Sequence, residues 1–96
     1  MVSEKRKRFS DSFIVINEKG LHARPSTELA KLASVFKSEV IIHYEMFRVN
    51  AKSLVGVLML AIDYGDKVTI EAFGEDAEEA VKSIVKLANN KFQITC

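Results

Sequence analysis

The apolar residues of this chain change their spacing repeatedly within 96 residues, which restricts the folds that it can adopt. Alternating or β-branched apolar runs, which are typical of strands, cover residues 9–17, 39–44, 47–50 and 68–72. Apolar residues three and four positions apart, which are typical of amphipathic helices, follow Ala23, Ser53 and Asp76. The order β-α-β-β-α-β-α predicts an α+β fold of two layers, with three helices on one face of a four-stranded, mainly antiparallel sheet.

Each predicted helix has an apolar stripe that is expected to face the sheet. The stripe of the first helix consists of Leu29, Leu32, Ala33 and Phe36. The second helix follows the predicted N-cap Ser53, and its stripe consists of Leu54, Val57, Leu58 and Ala61. The third helix begins after the predicted N-cap Asp76, with Glu79 as its capping-box partner. Its stripe consists of Ala77, Ala80, Val81, Ile84, Leu87 and Ala88.

The length and the apolar content indicate one folded domain with short tails. Hydrophobic residues make up 48% of the chain, which favours a packed core over disorder. We predict a basic N-terminal tail at residues 1–7, the folded domain at residues 8–91 and a C-terminal tail at residues 92–96.

The sequence shows no sign of export or membrane insertion. No apolar run reaches the ~18 residues that a membrane span needs. The charged start, MVSEKRKR, is not followed by the apolar segment of a signal peptide. Cys96 is the single cysteine, which excludes an internal disulfide and fits a reducing compartment. We therefore expect a cytoplasmic protein that does not insert into membranes.

Charge is concentrated at the beginning of the chain. Residues 1–8 carry a net charge of +3, whereas residues 9–96 sum to −2. A basic arm of this kind can touch a phosphate backbone, but it is more often a solvated tail. Because a globally basic surface and an aromatic stacking platform are both missing, a nucleic-acid partner is disfavoured.

The segment GLHARPS at residues 20–26 contains the residues with the clearest chemistry. It places His22 between a glycine and the start of the first helix, with Arg24 and Pro25 close behind. Proline is tolerated in a first helical turn, where amides have no intrahelical partner. The free amides and the positive end of the helix dipole favour a neutral, nucleophilic imidazole and a nearby anion. Arg24 adds a planar cation whose geometry suits phosphate.

These parts suit a phosphoryl group carried on a ring nitrogen, but a purely structural histidine at a helix end would look similar. No second histidine, cysteine or carboxylate cluster lies near His22, so we expect neither a metal nor a cofactor. No spacing of Ser-His-Asp type indicates hydrolysis. The second histidine, His43, lies in a predicted strand and is expected to face solvent.

Two stretches of this sequence resemble the HPr family, the histidine phosphocarriers of the bacterial sugar phosphotransferase system. The run GLHARPS resembles the active-site signature of that family, and NAKSLVGVL at residues 50–58 resembles its regulatory serine segment. The serine of the second stretch, Ser53, follows His22 by 31 positions, as in the family. The resemblance covers about residues 8–90.

This resemblance implies an open-faced β-sandwich and a carrier that is not an enzyme. It implies that His22 takes a phosphoryl group from enzyme I on Nδ1 and gives it to the IIA domains of sugar permeases. Arg24 would stabilise the phosphoryl charge. The residues implied to bind partners are Thr27, Leu54, Val55 and Leu58. The carrier is expected to be a monomer.

Ser53 resembles the serine that HPr kinase/phosphorylase modifies, and the modified protein would then contact a transcription regulator. Its alternative role is only that of an N-cap. Leu54, Val55 and Leu58 cannot all face inward on one helix, so a docking patch and ordinary core packing both stay open. The sequence departs from the usual family form at Val55, at residues 44–48 and in the segment MLAIDYGD.

Two other readings stay open at this point. One is a regulatory protein of the same fold, either a nitrogen-branch phosphocarrier or a serine-phosphorylated corepressor. A corepressor without a transport role would be expected to lack the histidine, whereas His22 is present. The other is a small nucleic-acid-binding module that uses the basic arm, but the −2 charge of residues 9–96 and the lack of an aromatic stacking platform argue against it.

Overall fold

The computed structural model describes residues 7–94, and the strands and helices follow one another in the predicted order. The strands are β1 (Arg8–Ile14), β2 (Glu39–Tyr44), β3 (Phe47–Asn50) and β4 (Lys67–Phe73). The helices are α1 (Ala23–Val35), α2 (Leu54–Met59) and α3 (Ala77–Asn89), and a short 3₁₀ turn follows at Lys91–Gln93. The predictions for the N-terminal basic tail, except Lys7, and for Cys96 lie outside the described residues.

The four strands form one sheet in the order β1-β4-β2-β3, and every neighbouring pair is antiparallel. Alternate residues of the strands point into the core, as a period of two requires. The inward residues that are almost fully buried are Phe13, Val40, Ile42, Val68, Ile70 and Ala72. The predicted α+β fold is therefore confirmed, with the helices packed over one face of the sheet.

The apolar stripes predicted for α1 and α3 form the helix side of this core. Leu29 and Ala33 of α1 are fully buried, while Leu32 and Phe36 pack at its margin. In α3, the stripe from Ala77 to Ala88 is buried apart from Leu87, which is partly buried. No helix among residues 7–94 is long and apolar enough to cross a membrane.

The stripe predicted for α2 is wrong except at Val57. That helix spans only six residues, and Val57 is its one buried residue. Ala61 lies beyond the helix with a φ of 51° and is exposed, so it cannot continue the stripe. Ile62 is buried in its place. A helix of under two turns has too few residues to set a buried face by periodicity alone.

The predicted capping box of α3 is also wrong, because Asp76 binds a different part of the chain. Asp76 is the N-cap residue, but its side chain makes no cap hydrogen bond. The carboxylate instead accepts the backbone N–H groups of Lys37 and Ser38, each at 2.9 Å, and the Ser38 hydroxyl. Those hydrogen bonds, led by the one from Ser38, hold the pKa of Asp76 below its ordinary value. Asp76 therefore joins the start of α3 to the loop between α1 and β2.

The end of the first strand and the end of the folded domain both differ from their predicted positions. The first strand stops at Ile14, short of residue 17, because Val15 pairs with a loop: its N–H donates to the Asp66 carbonyl at 2.9 Å. At the other end, Phe92 is fully buried and Ile94 nearly so. The prediction of a tail from residue 92 is therefore wrong for residues 92–94, which complete the core.

Candidate functional site

His22 lies at the start of the first helix, as predicted, and is the N-cap residue of α1. Its backbone is extended, with φ −77° and ψ −164°, and the helix begins at the next residue. The imidazole forms no cap hydrogen bond and is partly exposed. The ring nitrogens are therefore not used in capping α1, and the ring is accessible to a partner.

The first turn of α1 leaves donors available beside His22. The amides of Ala23 and Arg24 have no carbonyl four residues back within the helix, and Pro25 has no N–H at all. The first regular helical bond runs from the Ser26 N–H to the His22 carbonyl at 3.1 Å. The helix start therefore combines two amide donors, the positive end of the dipole and the exposed Arg24 side chain.

The residue before His22 is fixed through both of its backbone polar groups. The Leu21 N–H donates to the Ile62 carbonyl at 2.9 Å, and the Leu21 carbonyl accepts the Ser26 hydroxyl at 2.8 Å. Ser26 is fully buried and was not predicted as a site residue from the sequence. A signal was present, because Ser26 lies three and four residues before Leu29 and Ala30, on the buried side of α1.

Gly20 permits the close approach that these bonds require. Its φ is +70°, a conformation that other residues adopt at a cost. A Cβ at this position would lie 2.4 Å from the Ile62 carbonyl oxygen and 2.9 Å from the Asp63 Cα. Because both atoms belong to the backbone, only glycine lets the loop before His22 pack against residues 62–63.

Ser53 caps α2, as predicted. Its side-chain oxygen accepts the Gly56 N–H at 3.1 Å, and its carbonyl accepts the Val57 N–H at 3.0 Å. The residue before it links the two helices, since the Lys52 ammonium donates to the Phe36 carbonyl at the C-cap of α1, at 2.8 Å. That contact places a cation at the negative end of the α1 dipole.

The predicted docking residues of α2 lie on the surface. Leu54, Val55 and Leu58 are 38%, 69% and 39% exposed, so core packing does not account for them. Met59 is more exposed still and was not predicted as a docking residue from the sequence. We call Leu54, Val55, Leu58 and Met59 the α2 apolar face. Exposed apolar side chains grouped on one short helix are the usual chemistry of a contact surface.

Thr27 lies beside this face. Thr27 and Leu54 line the same groove between α1 and α2, together with Ala30, Lys31, Ser34 and Lys52. The Thr27 hydroxyl itself donates to the Ala23 carbonyl at 2.8 Å. The structure thus brings Thr27 together with the start of α2, as the sequence alone could not show.

His43 is separate from this site and belongs to an ionic cluster on the face of the sheet away from the helices. Its Nε2 lies 2.7 Å from the Glu71 carboxylate, which also pairs with the Arg8 guanidinium. Burial raises the pKa of Glu71, but the hydrogen bonds from His43 and Arg8 outweigh it and leave the pKa lowered. Within residues 7–94, no group of three or more His, Cys, Asp or Glu side chains is placed to hold a metal ion.

Comparisons with known proteins identify the family to which this fold belongs. The family model of the phosphotransferase-system HPr component, described by its phosphorylation site, matches residues 9–90. The phosphocarrier protein HPr of Cupriavidus necator is 44% identical over 78 residues, which is 81% of this chain and 88% of that protein. The crystal structure of HPr from Thermoanaerobacter tengcongensis has a TM-score of 0.87 at 35% identity and covers 92% of this chain and 99% of its own.

A second solved structure gives the same result. The phosphocarrier protein HPr from Bacillus anthracis has a TM-score of 0.80 at 33% identity, covering 84% of this chain and 96% of its own. These matches define the class as a phosphotransferase-system phosphocarrier, a carrier rather than a catalyst. The chain belongs to the HPr family.

Proposed function

We propose that His22 accepts a phosphoryl group from phosphorylated enzyme I and passes it to the IIA domains of sugar permeases. The observation that supports this most directly is the state of the ring at the start of α1. His22 is the N-cap residue, yet its side chain makes no cap hydrogen bond and is accessible. The helix start beside it supplies amide donors and a positive dipole end, which suit an anionic group.

The transfer is an exchange of one nitrogen–phosphorus bond for another. The lone pair of an unprotonated ring nitrogen, Nδ1 in the family, attacks phosphorus while the bond to the donor imidazole breaks. The electrons of that bond return to the donor nitrogen, so no oxidant or external cofactor is needed. Charge develops on the three phosphoryl oxygens, and fixed donors aimed at that charge lower the barrier.

Arg24 is proposed to stabilise the phosphoryl group. It occupies the second helical position after His22 and is exposed, so it can follow the group as it moves. A guanidinium offers several donors in a planar fork that matches phosphate oxygens. Arg24 and the α1 amides would thus act together on the same charge.

The α2 apolar face, with Thr27 beside it, is proposed to contact enzyme I and the IIA domains. Its four residues are exposed, three of them (Leu54, Val55 and Leu58) were predicted to bind partners, and the face follows directly after the capping Ser53. Phosphorylation of Ser53 would then place a charge at the edge of this contact surface. We propose that such phosphorylation regulates transfer through His22.

Labelled phosphoenolpyruvate and enzyme I test the proposal. The unmodified protein should acquire a label that acid removes, because phosphohistidine is acid-labile and phosphoserine is not. His22→Ala should acquire none, while His43→Gln, the matched control at the other histidine, should be labelled normally. Acid-labile label on the His22→Ala protein would refute the assignment of His22 as the acceptor. A His43→Gln protein that folds normally but acquires no label would refute it too.

A further inference from the structure

One peptide group links the loop before His22 to the loop after α2. The Ile62 carbonyl of that peptide accepts the Leu21 N–H at 2.9 Å. The N–H on its other side, which belongs to Asp63, donates to the Asp66 carboxylate, also at 2.9 Å. The orientation of the peptide is therefore held at both ends, and its carbonyl end determines where the residue before His22 lies.

Asp66 is itself fixed from several directions. The Tyr44 hydroxyl at the end of β2 donates to the same carboxylate oxygen at 2.5 Å. The Asp66 carbonyl accepts the Val15 N–H at 2.9 Å, and the Asp66 N–H donates to the Asp63 carbonyl at 3.1 Å. The Tyr44–Asp66 bond is the largest of several causes, burial and nearby carboxylates among them, that raise the pKa of Tyr44 to about 12, and the same bond is the main cause that lowers the pKa of Asp66. The carboxylate is therefore ionised at neutral pH and joins the sheet to the loop.

An ionised acceptor on the N–H side of a peptide strengthens its carbonyl as an acceptor, because hydrogen bonds in a chain polarise one another. The Leu21 N–H donates to that strengthened carbonyl, and Gly20 packs on the same peptide with no room for a side chain. A continuous path of bonds thus runs from Tyr44 through Asp66 and the Ile62–Asp63 peptide to Leu21. His22 is the next residue.

We propose that Asp66, held by Tyr44, is a positioning residue for His22. It acts by orienting the Ile62–Asp63 peptide, which fixes Leu21 and with it the direction of the imidazole. This inference rests on the proposed role of His22 as phosphoryl acceptor. Asp66 belongs to the segment MLAIDYGD, in which this sequence departs from the usual family form.

Asp66→Ala is the principal variant in a test of this proposal, and Asp66→Asn is its conservative partner. Misplacing a reacting group by ~1 Å costs up to ~10²-fold in rate, so Asp66→Ala should lower the maximal rate of phosphoryl acceptance by about tenfold. Its KM for enzyme I should change by less than about twofold, because Asp66 lies outside the α2 apolar face. Asp66→Asn keeps an acceptor oxygen and should restore most of the rate, and Tyr44→Phe should be intermediate.

Hydrogen exchange at the Leu21 amide gives a second readout that does not need enzyme I. Asp66→Ala should accelerate exchange at Leu21 by about tenfold while the amides of Ile42 and Ile70 in the sheet stay protected. Asp63→Ala removes a carboxylate from the same loop without touching the bonds described, and it should match the unmodified protein in both measurements.

Three results would overturn the proposal. The first is an Asp66→Ala protein with an unchanged rate and an unchanged Leu21 amide, which would leave the role of His22 intact. The second is uniformly faster exchange in the sheet with a raised KM, which would show a general loss of stability. The third is the same loss in Asp63→Ala. If the unmodified protein accepts no phosphoryl group from enzyme I, the proposed function fails. The hydrogen-exchange rate of the Leu21 amide then still tests the positioning, because an unchanged rate in Asp66→Ala would refute it as well.

Discussion

Arg24 and His22 share one helix start, but substituting them should have different consequences. Arg24→Ala should slow transfer by about a hundredfold or more, since removing one preorganised donor has effects of that size. Affinity for unphosphorylated enzyme I should change little, because the charge of Arg24 matters most while the phosphoryl group moves. Rapid-quench transfer rates and a binding titration separate the two effects.

Arg48→Ala is the control for that comparison, because it removes an equal charge from the exposed strand β3. It should transfer at the unmodified rate. If Arg24→Ala and the unmodified protein transfer the phosphoryl group at equal rates, Arg24 has no part in the mechanism. A large loss of affinity for enzyme I would show instead that Arg24 is a docking residue.

Single residues were predictable from the sequence only where a local motif carries them. His22, Arg24 and Ser53 lie in short runs whose helix-start chemistry is visible in the sequence, and the structure places His22 and Ser53 at the N-caps of α1 and α2. Asp66 and Tyr44 gave no such signal. Their roles arise from hydrogen bonds between segments that are far apart in sequence, and no spacing rule encodes those contacts.

At the scale of an element, α2 has the features needed for a regulated contact surface. Ser53 accepts the Gly56 N–H at its start, and three predicted docking residues are exposed along it. A phosphate on Ser53 would meet the positive end of the helix, so the helix should tolerate it. The same charge would lie beside apolar side chains that must lose water on docking.

Phosphorylation of Ser53 should therefore inhibit phosphoryl acceptance at His22 without unfolding the domain. Loss of about 2.8 kcal/mol of docking free energy corresponds to an affinity about a hundredfold weaker. Kinase-treated protein and Ser53→Asp should both show the effect, the latter partially. Ser53→Ala, which loses the cap at a cost of about 1 kcal/mol but adds no charge, should transfer normally.

Rates of His22 phosphorylation and thermal midpoints distinguish the outcomes. An unchanged rate in kinase-treated protein would leave Ser53 as a cap only. A midpoint far below that of Ser53→Ala would show that the phosphate damages α2, and the inhibition would then be indirect.

The accuracy of the sequence predictions also varied between elements. The 13-residue helices α1 and α3 were predicted with their buried faces, because several turns of apolar periodicity average out local exceptions. For the six-residue α2 only Val57 was predicted correctly as buried, because fewer than two turns give too little periodicity to define a whole face. Asp76 was predicted correctly as the N-cap residue of α3, but its predicted cap hydrogen bond does not form. Its carboxylate accepts hydrogen bonds from Lys37 and Ser38 instead.

The sheet should make the stability of the domain depend on pH through Glu71. Because the folded-state pKa of Glu71 is lowered from its ordinary value of 4.5, its contribution is fully present above that value and is lost as the pH falls through the folded-state pKa. Glu71→Gln should therefore be less stable than the unmodified protein at pH 7, and the difference should shrink below pH 4.5. Urea unfolding at pH 7, 5 and 3 measures it.

Glu18→Gln is the control for the loss of one carboxylate, since Glu18 is exposed and lies outside the cluster of Arg8, His43 and Glu71. A stability difference between Glu71→Gln and the unmodified protein that is the same at pH 7 and pH 3 would contradict the ionic role. Glu71 would then act by packing alone.

At the scale of the whole molecule, the two layers were predicted from the sequence, but the packing of the residues after α3 into the core was not. Lys91, Phe92 and Gln93 all have positive φ, between 54° and 62°, a conformation with no periodic pattern to detect. The burial of Phe92 offsets the cost of these φ angles. Its side chain is fully buried and packs edge-on against Phe13, with ring centroids 6.0 Å apart. The Asn17 side chain also donates to the Lys91 carbonyl at 3.0 Å.

Phe92→Ala should consequently destabilise the domain by about 3–5 kcal/mol, the usual cost of truncating a buried aromatic residue. For a domain of this size each kcal/mol lowers the thermal midpoint by about 4–8 °C, so the midpoint should fall by about 12 °C or more. Gln93→Ala changes the exposed neighbour and should leave the midpoint within a few degrees. Calorimetry on the two variants decides the matter, because a frayed tail predicts no change in either. Equal thermal midpoints for Phe92→Ala and Gln93→Ala would show that residues 92–94 form a tail and do not belong to the core.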